Sequence, residues 1–184
     1  METKTALVTG STSGIGLGVA TSLAQKGYHV IMCGSRSKED ALEAITQVKS
    51  SALHSVHYVQ ADLKTEAGMV SLCKEADSIC PGGVDILVNN AGMQHVTPVE
   101  DCSLAKWNEI VAINLTAPFY LISHFVPRMK QKDEAKKRLF CDSQPTGKPV
   151  QVSQIADLVL FLCSPGADSM TGTSLVMDGG TIAK

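Results

Sequence analysis

Apolar positions follow two rhythms along the first two-thirds of the chain, and the rhythms alternate. Short apolar runs at 6–9, 29–33, 56–61 and 86–89 are bounded by turn residues and read as buried strands. Between the first two runs, Ile15, Val19, Ala20, Leu23 and Ala24 recur at helical spacing as far as Gly27, which reads as a helix-ending glycine. Ser37 and Asp40 form a capping-box pattern ahead of Leu42, Ile45 and Val48, which share one helical face, and 65–79 reads as a third helix. Strands and helices in strict alternation predict a parallel sheet with helices on both faces, a doubly wound α/β domain.

The rhythm then changes. Trp107, Ile110, Val111, Leu115, Leu121, Ile122, Phe125 and Met129 make a long apolar helical face that needs a sheet to lie on. Pro118 and Pro127 are expected to bend or interrupt it. Ser153 is expected to cap a later helix carrying Ile155, Leu158, Val159 and Leu162 toward a last strand at 174–177. No repeat or linker divides the chain, so 1–184 reads as a single domain, and no run reaches the ~18 apolar residues of a membrane span.

Composition narrows the function without naming it. The 184 residues are 44% hydrophobic and 18% charged, enough for one full core. A net charge of -2 gives no footprint for nucleic acid or an anionic membrane, so the expected partner is a small molecule or a second copy. The six cysteines lack C-x-x-C spacing and read as reduced thiols, and no metal site is expected. Because strand pattern begins at Ala6, a leader peptide is not expected; the setting reads as cytoplasmic, with the mitochondrial matrix as the alternative.

The chemical signal is TGSTSGIG, residues 9–16, between the first strand and the first helix. Gly10, Gly14 and Gly16 allow a tight turn, close backbone approach to a pyrophosphate and close packing of helix on strand, while the helix N-terminus favours an anion. Twenty residues on, where an acid would accept a ribose 2′-OH, stand Gly34, Ser35 and Arg36. Arg36 can meet a 2′-phosphate, stack on adenine or simply open a solvated loop.

With NNAG at 89–92, Asn114 in the long helix and TGTSLVMDGG at 171–180, the chain resembles the short-chain dehydrogenase/reductase family over about 1–131 and 140–184. The resemblance implies a Rossmann-type fold and an NAD cofactor, with NADP as the alternative. Thr12, Ser13, Ile15 and neighbouring backbone would hold the pyrophosphate, Asp62 and Leu63 the adenine, and Asn89, Ala91 and Gly92 the cofactor ribose. Asp62 as a strand-ending turn residue and Asn89 as a bridge between strands are the structural alternatives. The run NAGMQH at 90–95 is similar to the D-3-hydroxybutyrate dehydrogenases of the family, which implies Gln94 as a ligand of a substrate carboxylate, or else a polar loop residue. Asn114 would hold a water in the proton relay, or would only bend its helix. A homotetramer is the family's usual assembly.

One part of the family pattern is missing. Proton transfer in the family uses a serine and a Tyr-x-x-x-Lys unit, whose phenolate needs a nearby lysine because a free phenol ionises near pH 10. The tyrosines here are Tyr28, Tyr58 and Tyr120, and four residues after them stand Met32, Asp62 and His124. The two resembling parts abut near Lys132, so a discontinuity is expected at 129–134; a genuine deletion is the alternative, and would leave the face from Trp107 to Met129 uncovered. The charged stretch 134–140 resembles the family's substrate-lid helix, and Gln144 and Pro145 its exit.

Overall fold

Side-chain alternation along the strands divides the core in two. In a computed structural model, which describes residues 3–132, 151–172, 174, 175 and 177, four strands form one parallel sheet: β1 (Thr5–Thr9), β2 (His29–Gly34), β3 (Val56–Gln60) and β4 (Ile86–Val88), in the order β3-β2-β1-β4. Ala6, Val8, Val30, Met32 and Val88 point to one face, where α1 (Gly14–Gln25), α2 (Leu42–Ser51) and α6 (Val152–Leu162) cover them. Leu7, Ile31, Cys33, Val59 and Leu87 point to the other, under α3 (Glu66–Ile79) and α5 (Ala117–Lys132). Period-two alternation on strands buried on both sides is why each reads as an unbroken apolar run.

The expected Rossmann-type fold is therefore present, with local adjustments. Thr65 caps α3 by accepting from the Gly68 N–H at 3.0 Å. Ser37 and Asp40 are bonded to each other as expected, yet they close a turn ahead of α2, whose first residue Leu42 is exposed; Ala41 and Ala44 join Ile45 and Val48 in the core instead. At α6 the cap is Gln151, whose N–H donates to Gln154 Oε1 at 2.9 Å, and Ser153 lies inside the helix. Gly18 is where α1 meets α6: a Cβ there would lie 2.1 Å from Val152 Cγ1.

The long apolar helix departs furthest from expectation. It is α4 (Leu104–Val111), a π-helical segment (Ala112–Thr116) and α5 in direct succession, and neither proline interrupts it: Pro118, which has no N–H to give the Asn114 carbonyl, stands just past the π segment, and Pro127 lies inside α5. Ala117, Leu121, Phe125 and Met129 are buried, whereas Trp107 and Leu115 are 57% and 67% exposed. The difference follows from the sheet: β4 is its edge among the described residues, and α4 reaches past it. Contrary to the sequence expectation, the run Leu104–Met129 is long and apolar enough to cross a membrane, at 26 residues and a mean hydropathy of 1.4. Only 17% of its apolar window is buried, and α5 is tied to α3 by Asp77, which accepts from Arg128 at 2.5 Å and faces His124 Nε2 at 3.0 Å.

Helix continues through Met129 to Lys132. The rest of the expected seam, the stretch 134–140, Gln144 and Pro145 lie outside the described residues. Ser174, Leu175 and Met177 are described and are not in a strand.

Candidate functional site

At the carboxyl ends of all four strands lies a 510 Å³ cleft, of the size that holds small ligands and at the place where open α/β sheets bind them. Its floor is the glycine turn. Gly10 and Gly14 have φ of +62° and +54°, a conformation open to glycine at little cost. Gly14 faces open space, while a Cβ on Gly16 would stand 2.3 Å from the Gly10 carbonyl oxygen, so the helix rests directly on the turn. The first N–H groups of α1 have no intrahelical acceptor, no acid occupies its first turn, and Ser13 at the N-cap makes no side-chain capping bond. Unused donors, no acid and a backbone free of side chains fit a pyrophosphate.

The wall beyond the turn comes from the β4 exit. Thr9 Oγ1 accepts from the N–H groups of Asn90 and Ala91, both at 3.0 Å, and donates to Val88 O at 3.3 Å. The Asn90 amide donates to Thr9 O at 2.9 Å and to Gly10 O at 3.2 Å. These bonds fasten the 89–92 loop to the glycine turn.

Of the residues singled out in the sequence, Gly10, Thr12, Ser13, Gly14, Ile15, Asp62, Leu63, Ala91 and Gly92 line the cleft together. Gly16 is buried behind the turn. Asp62 serves the cleft and its turn at once: its Oδ1 accepts from Lys64 N–H at 3.1 Å, and its carbonyl accepts from Thr65. Asn89 does not line the cleft; strand alternation turns it from Thr9, and both polar atoms of its amide are buried without a hydrogen-bond partner among the described residues. The bridging role weighed for Asn89 belongs to Asn90. Gln94 is exposed, one residue past the lining Met93. Asn114 sits in the π segment, and both ends of its amide are spent on Met93: Oδ1 accepts from its N–H at 3.0 Å and Nδ2 donates to its carbonyl at 2.7 Å. It holds the loop in place and is not in the cleft lining.

Sequence reasoning missed Cys33, Ala61, Lys64, Asn90, Met93 and Ile113 as lining residues. Strand position was the available signal for Cys33, the penultimate residue of β2. Its thiol is buried and pushed up to about 12, first by desolvation and then by the Glu75 carboxylate; Cys73 is raised to about 11 by burial and Asp77. Unfolded thiols ionise near 8.5, so between about pH 9 and 11 the folded chain keeps protons that the unfolded chain has lost, and stability falls as pH rises through that window. The urea midpoint is expected to be lower at pH 10 than at pH 7.5, and the drop to shrink in a C33A/C73A variant. An undiminished drop would assign it to other groups.

The fold and the site define an α/β protein with a glycine turn shaped for a phosphate-bearing ligand. The pattern described as short chain dehydrogenase matches residues 4–138, and the one described as Enoyl-(Acyl carrier protein) reductase matches residues 131–181. The chain belongs to the short-chain dehydrogenase/reductase family. It is 46% identical over 130 residues to a D-beta-hydroxybutyrate dehydrogenase of Cupriavidus necator, covering 71% of this chain and 49% of that relative, about half its length. With a D-beta-hydroxybutyrate dehydrogenase of Rhizobium meliloti it is 27% identical over 259 positions, covering 99% of this chain and 100% of the relative. Among solved structures, a putative NAD(P) dependent gluconate 5-dehydrogenase of Beutenbergia cavernae with bound NADP superimposes with a TM-score of 0.83 at 23% identity, covering 98% of this chain and 97% of that one. At that identity the likeness concerns the fold.

Proposed function

We propose that this chain is an NAD(H)-dependent oxidoreductase that interconverts a short 3-hydroxy acid and its 3-keto acid, with 3-hydroxybutyrate and acetoacetate as the pair. The observation that carries the reading is the acid-free glycine turn with its unused N–H donors, facing Asp62 and Leu63 on one side and Ala91 and Gly92 on the other. The Cupriavidus relative supports the substrate. The bound nicotinamide would supply or accept the hydride at the substrate carbonyl. Thr12, Ser13 and the first turn of α1 would hold the pyrophosphate, Asp62 and Leu63 the adenine, and Gln94 the substrate carboxylate. The protein acts in the cytoplasm as a homotetramer on a small-molecule substrate, without nucleic acid, metal or membrane. NADP is the alternative cofactor.

The absence of a Tyr-x-x-x-Lys unit from the sequence favours a second reading: a chain that binds the dinucleotide and does not turn over. The alignment of 184 residues against 259 positions of the Rhizobium relative supports the alternative that residues near 129–134 join parts that the family keeps apart. Fluorescence titration with NADH and NADPH followed by an acetoacetate reduction assay separates the readings. Binding with turnover supports the dehydrogenase, binding without turnover the inactive binder, binding of NADPH in place of NADH the alternative cofactor, and no binding of either dinucleotide sinks both readings.

A further inference from the structure

We infer that Tyr58 is the positioning residue for the adenosine end of the cleft, an inference that rests on the dinucleotide reading above. The β2–β3 ladder ends where Gly34 pairs with Gln60, so the turn that follows is held by side chains. The Tyr58 hydroxyl donates to Arg36 O at 2.7 Å, with Gly34 O as a longer second acceptor at 3.2 Å, and Gln60 Nε2 reaches Ser35 O at 3.5 Å. Gly34 and Ser35 both line the cleft.

Gly34 leaves no slack in this arrangement. A Cβ there would lie 2.9 Å from Thr12 Cγ2 and 3.2 Å from the Tyr58 hydroxyl, tighter than side chains normally pack. Thr12 and the Tyr58 hydroxyl thus meet over the bare α-carbon of Gly34, and this close contact sets how far the turn carrying Ser35 and Arg36 stands from the glycine turn. That separation is what the span from pyrophosphate to ribose must match. No carboxylate stands at 34–36 to grip the ribose, so backbone placement carries more of the recognition. Burial raises the phenol above its usual range, which keeps it a donor at working pH.

The test compares the wild-type chain with Tyr58→Phe, which keeps the ring in its core contacts and deletes the hydroxyl. Dissociation constants for NADH and ADP are both expected to rise about five-fold, since the ligand must then order a turn that has lost one hydrogen bond, and the thermal midpoint is expected to fall by about 2–4 °C. In the wild type labelled with 13C-tyrosine, the Tyr58 ring signals are expected to shift on adding ADP, the Y28F and Y120F variants assigning the other two rings. Constants within two-fold of wild type overturn the inference. So does a Tyr58 signal unmoved by ADP, the reading that still decides if Y58F fails to fold. A wild type that binds none of NADH, NADPH and ADP overturns the dinucleotide reading itself, and this inference with it.

Discussion

Replacing Gly16 by alanine is expected to destabilise the chain by about 3 kcal/mol, the upper part of the range for overpacking, and to abolish measurable NADH binding. The added methyl would stand 2.3 Å from Gly10 O and 2.4 Å from Asn90 Nδ2. Those two atoms are acceptor and donor of one hydrogen bond, 3.2 Å long, so the methyl is driven between them. Neither can yield cheaply. Gly10 is fixed at φ +62°, and the Asn90 amide also donates to Thr9 O. Relief requires α1 to lift off the turn, which removes the donors a pyrophosphate would use. Gly14→Ala is the informative contrast, because nothing lies within 4 Å of a Cβ there and the cost is confined to its φ of +54°, about 1 kcal/mol. Urea unfolding and NADH titration of both variants check the claim. A Gly16→Ala protein within 0.5 kcal/mol of its parent would mean that helix and turn are not in rigid contact.

The contrast between Gly14 and Gly16 also marks where the sequence was legible. A strand, a glycine-rich turn and an amphipathic helix in that order dictate a local geometry almost alone, since apolar period, positive φ and helix start all agree. For that reason Thr12, Ser13, Gly14 and Ile15, neighbours in the sequence, come together in the cleft lining. Legibility ends where placement depends on partners distant in sequence. Asn89 and Asn90 are adjacent amides with the same intrinsic chemistry, and only the exit direction of β4 decides which of them meets Thr9. The face from Trp107 to Met129 shows the same limit: its period predicts burial throughout, but the sheet under it ends at β4 among the described residues, so only the α5 half is covered. Asn114 reads from the sequence as a relay or helix-bending residue, and the structure places it in a π segment with its side chain bonded to Met93, 21 residues away, a partner that helical spacing does not reveal.

Those long-range bonds make Thr9 the second sensitive position. Thr9→Val is nearly isosteric and is expected to cost about 2 kcal/mol, because it leaves the Ala91 N–H without its acceptor in a part-buried setting, at roughly 1–3 kcal/mol for an orphaned group, while the Asn90 N–H keeps Val88 O at 3.1 Å. Thr9 itself is 1% exposed, so water cannot take the hydroxyl's place without repacking. Thr9→Ser keeps the oxygen, loses only a methyl and is expected to cost about 1 kcal/mol. The functional consequence reaches past stability. Ala91 and Gly92 form the wall opposite Asp62, and with the clamp gone the Asn90 Nδ2 bonds are, among the described residues, the side-chain ties left between that wall and the glycine turn. NADH affinity of Thr9→Val is therefore expected to fall several-fold beyond what its folded fraction accounts for, while Thr9→Ser binds within about two-fold of the parent. If the two variants bind alike once folded fraction is corrected, the hydroxyl serves the fold alone and the wall is positioned by something else.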